Sequence, residues 1–149
     1  MQAKIRWLDG VSFVAESGSG HAIVLDGAPE NGGRNIGSRP MELVLMGLGS
    51  CAAFDVAMIL RKARQRFTDI QVELKAERAN AMPAVFTDVN MIFVITGSEL
   101  DQAVVARAVR LSAEKYCSVA AMLKAGGVTI QFDFVVKDST GINSAASTK

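Results

Sequence analysis

The two cysteines of this chain are its residues with the clearest chemical potential. Cys51 lies in the apolar run GLGSCAAFDVAMIL, and Cys117 follows 66 residues later in AEKYCSV. A thiolate is a nucleophile, so two cysteines can form a catalytic or redox pair. A cysteine in an apolar helix is, however, usually a small buried hydrophobe. The residue types alone therefore favour an inert thiol at position 51.

The helical neighbours of Cys51 decide which groups its thiol can meet. Residues three, four and seven positions away share a helix face, and here these are Gly47, Leu48, Phe54, Asp55 and Met58. An ionised Asp55 would disfavour the thiolate form of Cys51 if the two groups came close. Cys117 falls between two predicted helices, and a thiol at a helix N-terminus is better placed to become a thiolate than one in mid-helix.

Other catalytic motifs are missing from the sequence. The single histidine, His21, and two cysteines do not make a zinc site unless carboxylates lie beside them, so no metal site is predicted. His21 alternates with Ile23 and Leu25, which is typical of a half-buried structural histidine. The sequence contains neither a phosphate-binding glycine motif nor the H-E-x-x-H pattern of metalloproteases.

Charge and hydropathy exclude several classes of partner. The formal charge is +1, without a long basic cluster, so we expect no nucleic-acid partner. The apolar stretch 41–60 has the length of a membrane span, but Glu42, Ser50 and Asp55 interrupt it, and we interpret it as a buried helix without a membrane partner. The N-terminal residues lack the features of a signal peptide, which predicts a reducing cytoplasm, where structural disulfides are rare.

Strand and helix patterns position the cysteines. Residues 3–26 alternate as three strands, with turns at Asp9-Gly10 and at residues 17–20. The loop 27–40 is rich in Gly, Asn and Pro and is predicted to be a mobile flap or a crossing to another subunit. Pro40 suits the first turn of a helix that runs from about Met41 to Arg64.

The second half of the chain alternates between strand and helix patterns. We predict strands at 70–77, 85–95 and 128–136, a helix that opens at a Ser98–Asp101 capping arrangement, and a short helix at 119–123. The order βββ-α-ββ-αα-β indicates an α+β fold with a long buried central helix packed against sheet. We predict one domain over 1–137 and a disordered polar tail at 138–149.

The segment from Arg39 to Cys51, RPMELVLMGLGSC, together with AEKYCSV around Cys117, resembles the OsmC/Ohr family. That family has a Pro-x-Glu or Pro-Glu helix start, a stretch of small residues, a cysteine, and a second cysteine near the C-terminal strand. The resemblance covers roughly residues 3–136 and is closest to the YhfA-like subgroup. It implies an OsmC-like fold, with antiparallel sheets around the central helix, and an intertwined homodimer whose active sites lie at the subunit interface.

The resemblance also implies an activity, the reduction of organic hydroperoxides. Cys51 would be the peroxidatic thiol that becomes a sulfenic acid, and Cys117 would resolve it by forming a disulfide. An external dithiol would reduce that disulfide, and no metal, haem or flavin cofactor is implied. Leu48, Phe54 and Met58 could form an apolar pocket for the alkyl tail of the hydroperoxide.

The activating groups of the family are not matched in full. Family peroxidases pair an arginine of the N-terminal sheet with a glutamate ten residues before the peroxidatic cysteine, and Met41 occupies that position here. Glu42 lies nine residues before Cys51, which on one helix is half a turn away and about 13.5 Å along the axis. Contact between them would need a second subunit. Three arginines could supply the missing cation: Arg39, which adjoins the helix start, Arg34 and Arg78.

Taken together, these features predict a cytoplasmic, homodimeric, OsmC-like thiol peroxidase for organic hydroperoxides. The alternative is a redox-sensing or small-ligand-binding protein that keeps the fold and both thiols without efficient turnover. A third interpretation is that both cysteines have a structural role only, as most buried thiols do.

Overall fold

The computed structural model describes residues 1–139 and 143–144. The chain divides into two compact units, residues 1–46 and the residues from Gly47 onward. The first unit contains a three-stranded antiparallel sheet of β1 (Ala3–Asp9), β2 (Ser12–Ser17) and β3 (Ala22–Leu25) in that order. Gly10 has a φ of 53° in the turn after β1, a conformation that glycine adopts readily. The predicted meander is confirmed.

His21 differs from its prediction. It lies in the turn before β3, is exposed, and has its Nδ1 3.3 Å from the hydroxyl of Ser19. The alternation of His21 with Ile23 does not predict burial of His21, because β3 begins only at Ala22 and His21 lies outside it.

One buried carboxylate, Asp26, organises the loop that follows β3. Its side chain is 1% exposed and accepts hydrogen bonds from the Ser12 hydroxyl (2.9 Å) and from the backbone N–H groups of Gly27 (2.8 Å), Arg34 (2.8 Å) and Ile36 (3.2 Å). Burial would raise the pKa of Asp26, but these four hydrogen bonds outweigh it and lower the pKa to about 2. Much of the predicted 27–40 loop is thus tied to its own chain.

The remaining elements follow the predicted order. They are α1 (Pro40–Lys62), β4 (Arg66–Arg78), β5 (Phe86–Ser98), α2 (Gln102–Leu111), a π-helical turn (Ser112–Tyr116), α3 (Ser118–Ala125), β6 (Thr129–Asp138) and β7 (Asn143–Ser144). The second sheet has the order β4-β5-β6-β7. The β4–β5 and β6–β7 pairs are antiparallel, whereas β5 and β6 are parallel. The expectation of purely antiparallel sheets is therefore wrong, because α2 and α3 form a crossover between β5 and β6.

The core of the second unit includes a buried stripe of α1 and one apolar face of its sheet. Leu74, Met91 and Phe132 lie side by side on that face. A Cβ atom added at Gly49 would lie 2.6 Å from Cδ1 of Leu74, so α1 approaches the sheet closely at that point. The buried stripe consists of Leu48, Gly49, Ala52, Val56 and Leu60.

The helix α1 is only partly buried within this chain. Phe54 and Met58 are 66% and 51% exposed, so the prediction of a buried helix holds for one stripe and not for the opposite face. Among the described residues, α1 is the one helix long and apolar enough to cross a membrane by length and composition. A core helix of a soluble protein satisfies the same criterion.

Several element boundaries differ from the sequence expectations, and two of them change the interpretation. Asp101, not Ser98, caps α2, since its carboxylate accepts from the N–H groups of Ala103 and Val104 while Ser98 still belongs to β5. At the C-terminus, β6 extends to Asp138, and β7 pairs with it. The rest of the predicted disordered tail, residues 140–142 and 145–149, lies outside the described residues.

We expect Asp26→Asn to lower the thermal stability at pH 7, because the amide would place N–H groups against backbone N–H donors. The ionised Asp26 stabilises the fold above its unfolded pKa of 3.8, and this contribution is lost as the pH falls through about 2. The Tm of the wild type should therefore fall more steeply between pH 4 and pH 2 than the Tm of Asp26→Asn. The exposed carboxylate of Asp9 provides the control, Asp9→Asn, which should follow the wild type. Parallel curves for wild type and Asp26→Asn would contradict this role.

Candidate functional site

Three side chains that could do chemistry meet between α1 and the start of α3. The sulfurs of Cys51 and Cys117 and a carboxylate oxygen of Asp55 all lie within 4.8 Å of one another. Cys51 and Asp55 are one turn apart on α1 and share a face, and Cys117 is the N-cap of α3. Both cysteines are free thiols, Cys51 partly exposed and Cys117 buried. The structure thus places the two cysteines from the sequence analysis together and adds a carboxylate.

Ser112 connects the two segments that carry the thiols. Its side chain is completely buried, and its hydroxyl lies 3.0 Å from the carbonyl oxygen of Ala52 and 3.4 Å from Oδ2 of Asp55, so that it can donate to either. Its carbonyl accepts a 3.0 Å hydrogen bond from the N–H of Cys117. This i to i+5 bond is characteristic of a π-helical turn, a feature frequent at functional sites. One residue therefore contacts α1 on one side and Cys117 on the other.

The sequence analysis missed Ser112, although a signal was present. Val105, Ala108 and Val109 form the buried stripe of α2, and Ser112 continues that stripe at helical spacing. A polar side chain on a buried stripe needs a hydrogen-bond partner, which marks Ser112 as a residue that contacts another element. The π-helical turn itself leaves no trace in the hydrophobic periodicity.

Burial governs the chemistry of Cys117. Its side chain is 2% exposed, and its sulfur accepts from the Ala120 N–H at 3.4 Å and lies 3.9 Å from the Leu48 carbonyl oxygen. Burial, together with the hydrogen bond and charge interaction with Cys51, raises the pKa of Cys117 to about 11, although the N–H groups of α3 act in the opposite direction. The N–H groups at the start of α3 therefore lower the pKa of Cys117, as predicted, but desolvation raises it by more.

The Asp55 carboxyl group is also affected by its surroundings. Burial raises the pKa of Asp55 above its ordinary value, and the hydrogen bond from Ser112 opposes this shift. A carboxylate with a raised pKa is a better proton acceptor for a thiol than an exposed aspartate. Asp55 therefore has the position and the chemistry to exchange a proton with either sulfur, directly or through one water molecule.

The three predicted substrate-binding residues have different environments. Leu48 is completely buried in the core and presents no surface to a ligand. Phe54 and Met58 are exposed and lie three and seven residues after Cys51, on the same side of α1. These two side chains can offer apolar surface next to the Cys51 thiol.

Glu42 and two of the arginine candidates, Arg34 and Arg39, belong to the first unit, whereas Arg78 ends β4 in the second. Arg39 donates its backbone N–H to the Glu42 carboxylate at 2.9 Å, and the two side chains form an ion pair at 4.0 Å. This backbone-to-carboxylate bond is one of the two hydrogen bonds of a capping box at the start of α1. Of the other two arginines, Arg34 pairs with Asp9 at 3.4 Å and Arg78 donates to a backbone carbonyl at 2.8 Å.

Comparison with known proteins places this site in a family. Residues 32–133 match the family model for OsmC, described as OsmC-like protein. Protein YhfA of Escherichia coli K12 is 50% identical over 136 residues, which cover 91% of this chain and 98% of YhfA.

Solved structures show the same fold. A hypothetical protein from Aquifex aeolicus VF5 is 30% identical, with a TM-score of 0.80 over 93% of this chain and 96% of its own. An organic hydroperoxide resistance protein OsmC from Legionella pneumophila is 19% identical, with a TM-score of 0.68 over 89% of this chain and 94% of its own. At 19% identity, the similarity to the Legionella pneumophila protein shows a shared fold and no more.

Ser112→Ala should destabilise the protein by about 1–3 kcal/mol, because it removes a buried hydroxyl that bonds to α1. Urea unfolding measures this change. Ser50→Ala is a matched control, since the exposed Ser50 hydroxyl contacts only the carbonyl of its own helix at Gly47 and should change the free energy of unfolding little. Equal values for the two variants would show that the Ser112 hydroxyl does not hold α1.

Proposed function

Because this chain belongs to the OsmC-like protein family, we propose that it is a cysteine-dependent peroxidase that reduces organic hydroperoxides. The observation that carries this proposal is the placement of a partly exposed thiol, Cys51, within 4.8 Å of a buried thiol, Cys117. The hydroperoxide resistance protein of Legionella pneumophila, which has the same fold, supports the assignment of substrate class.

The first step is attack of the Cys51 sulfur on the terminal oxygen of the hydroperoxide. The O–O bond breaks, an S–O bond forms, and the thiol proton passes through Asp55 to the departing alkoxide. The products are a sulfenic acid and an alcohol, so sulfur is oxidised by two electrons and the peroxide is reduced by two. Asp55 takes over proton transfer here, where the sequence lacks the glutamate ten residues before Cys51.

The second step joins the two sulfurs. Cys117 attacks the sulfenic sulfur, the S–O bond breaks, and water leaves as the disulfide forms. Cys117 must lose its proton for this attack, and its pKa of about 11 keeps it protonated at neutral pH. The nearby Asp55 carboxylate can accept that proton. An external dithiol then reduces the disulfide by thiol exchange and completes the cycle.

The rest of the proposal concerns the surroundings of the thiols. Phe54 and Met58 would contact the alkyl part of the substrate, since their exposed side chains lie beside Cys51 on α1. We propose that the protein works as a homodimer in the cytoplasm, without a metal or organic cofactor in the peroxidase cycle. In a dimer, Arg39 and Glu42 of one subunit are candidates to complete the site of the other.

One observation favours a second function, that of a redox sensor. Cys117 has a raised pKa because it is buried, and a carboxylate lies beside both thiols. Slow resolution and slow reduction would suit a protein that records an oxidant by forming one long-lived disulfide. The sensor and the peroxidase differ in turnover, which the next experiment measures.

We expect the reduced protein to consume cumene hydroperoxide for many cycles in the presence of a dithiol reductant. Cys51→Ser should abolish this consumption, because it removes the attacking sulfur. Without the dithiol, Cys117→Ser should consume one equivalent of hydroperoxide and accumulate a Cys51 sulfenic acid, detectable by mass spectrometry after trapping with dimedone. Formation of one disulfide without turnover would favour the sensor. Unreacted thiols would reject both functions.

Asp55→Asn should lower kcat/KM for the hydroperoxide by about 100-fold or more at pH 7, the usual range for loss of a proton-transfer group. The loss should shrink at higher pH, because the thiols then ionise without help from a base. Asp69→Asn, a change at an exposed carboxylate of β4, is the control and should leave the rate unchanged. A rate loss for Asp55→Asn that is the same at every pH would mean that Asp55 acts only in packing.

A further inference from the structure

We propose that Cys51, Cys117 and Asp55 also form a binding site for a thiophilic divalent cation, with Zn²⁺ as the physiological candidate. The observation behind this proposal is the mutual separation of the three donor atoms, which is 4.8 Å or less for every pair. Sequence reasoning predicted no metal site because no pattern placed a carboxylate beside both cysteines, and the structure places Asp55 there. The site goes beyond the peroxidase function and does not depend on it.

The geometry of the three donors suits a tetrahedral ion. With Zn–S bonds of about 2.3 Å and a Zn–O bond of about 2.1 Å, tetrahedral ligand atoms lie about 3.6–3.8 Å apart. The donors here lie within 4.8 Å, so each pair needs to close by no more than about 1.2 Å, which side-chain rotation can provide. Cys51 and Asp55 share one face of α1, and Cys117 comes from a separate element, so the donors approach from two sides.

The chemistry of the donors selects the type of metal. Two thiolates favour borderline or soft cations such as Zn²⁺, Co²⁺ and Cd²⁺ over Mg²⁺ and Ca²⁺, which prefer oxygen ligands. Three anionic ligands in a largely buried site repel one another, and a dication would offset most of that charge.

The surroundings also fit a metal site. Cys51 and Asp55 are partly exposed, so an ion can enter from solvent and a water molecule can take the fourth position. The Ser112 hydroxyl lies 3.4 Å from Oδ2 of Asp55 and can orient the carboxylate. Metal ligands commonly have such hydrogen-bonded partners, and removing one costs about 10–100-fold in affinity.

Metal binding and disulfide formation would exclude each other. When Zn²⁺ binds, two S–H bonds break, two Zn–S bonds form, and two protons leave to the buffer. A hydroperoxide that oxidises both metal-bound thiolates takes two electrons and two protons, yielding the disulfide, an alcohol, water and free Zn²⁺. The metal would thus protect the reduced thiols and leave when they are oxidised.

Titration with Co²⁺ tests the site directly, because thiolate ligands give cobalt a charge-transfer absorption in the near ultraviolet. The protein is reduced with a phosphine and freed of reductant without oxygen, since a dithiol would itself bind the metal. We expect one Co²⁺ per chain, with visible bands typical of tetrahedral coordination, and stoichiometric displacement by Zn²⁺. A wild-type protein that shows no charge-transfer band with excess Co²⁺ would overturn the proposal.

Variants show whether these three residues hold the ion. Cys51→Ala and Cys117→Ala should each remove about half of the charge-transfer intensity, and the double variant should remove all of it. Asp55→Asn should retain the band but weaken Co²⁺ binding by about tenfold or more, whereas Asp69→Asn should bind like the wild type. Affinity unaffected by Asp55→Asn would exclude the carboxylate as a ligand and overturn the three-residue site.

A second measurement avoids dependence on variants that fail to fold. Iodoacetamide labels free thiols, and mass spectrometry locates the label. One equivalent of Zn²⁺ should slow the alkylation of Cys51 in the wild-type protein at least tenfold, and a chelator should restore the rate. Alkylation at the same rate with and without Zn²⁺ would contradict metal binding at these thiols, whatever the peroxidase assay shows.

Discussion

The buried hydrogen bonds of Ser112 are the constraint on which the site depends. The hydroxyl points to α1 and the carbonyl holds the N–H of Cys117, so one residue sets the separation between the two thiols. A buried hydroxyl without a partner costs about 1–3 kcal/mol, which ties this residue to the helix it contacts. The π-helical turn that begins at Ser112 brings the chain back at the point where Cys117 can cap α3. The placement of the two thiols therefore rests on a local irregularity of helix geometry.

Proximity and reactivity are separate properties of the two thiols. The fold brings the sulfurs together by burying one of them, and the same burial keeps Cys117 protonated. The helix N-terminus and its N–H groups favour the thiolate but supply less than the desolvation removes. The structure places the carboxylate of Asp55 beside both thiols. A carboxylate does not stabilise a neighbouring thiolate by charge, so the proposed peroxidase activity relies on proton transfer to Asp55.

Sequence reasoning succeeded where local patterns decide the structure. The meander follows from alternating residues around Asp9-Gly10, and α1 follows from a long apolar run that Pro40 can start. It failed where distant contacts decide: β5 and β6 are parallel because of the crossover, and Asp26 gathers donors that are up to ten residues apart. Both cysteines were found from the sequence, but no periodicity could place Asp55 next to Cys117. That proximity depends on how α1 meets α3.

The close approach of α1 to its sheet at Gly49 links packing to the position of Cys51. Since a methyl group at residue 49 would meet Leu74 at 2.6 Å, an alanine there requires Leu74 to adopt another rotamer or to be replaced by a smaller residue. Residues 49 and 74 should consequently covary among relatives, with larger side chains at one accompanied by smaller ones at the other. Cys51 lies two residues beyond Gly49. The size of the side chain at position 74 of β4 therefore limits how close the helix segment that carries Cys51 can come to the sheet.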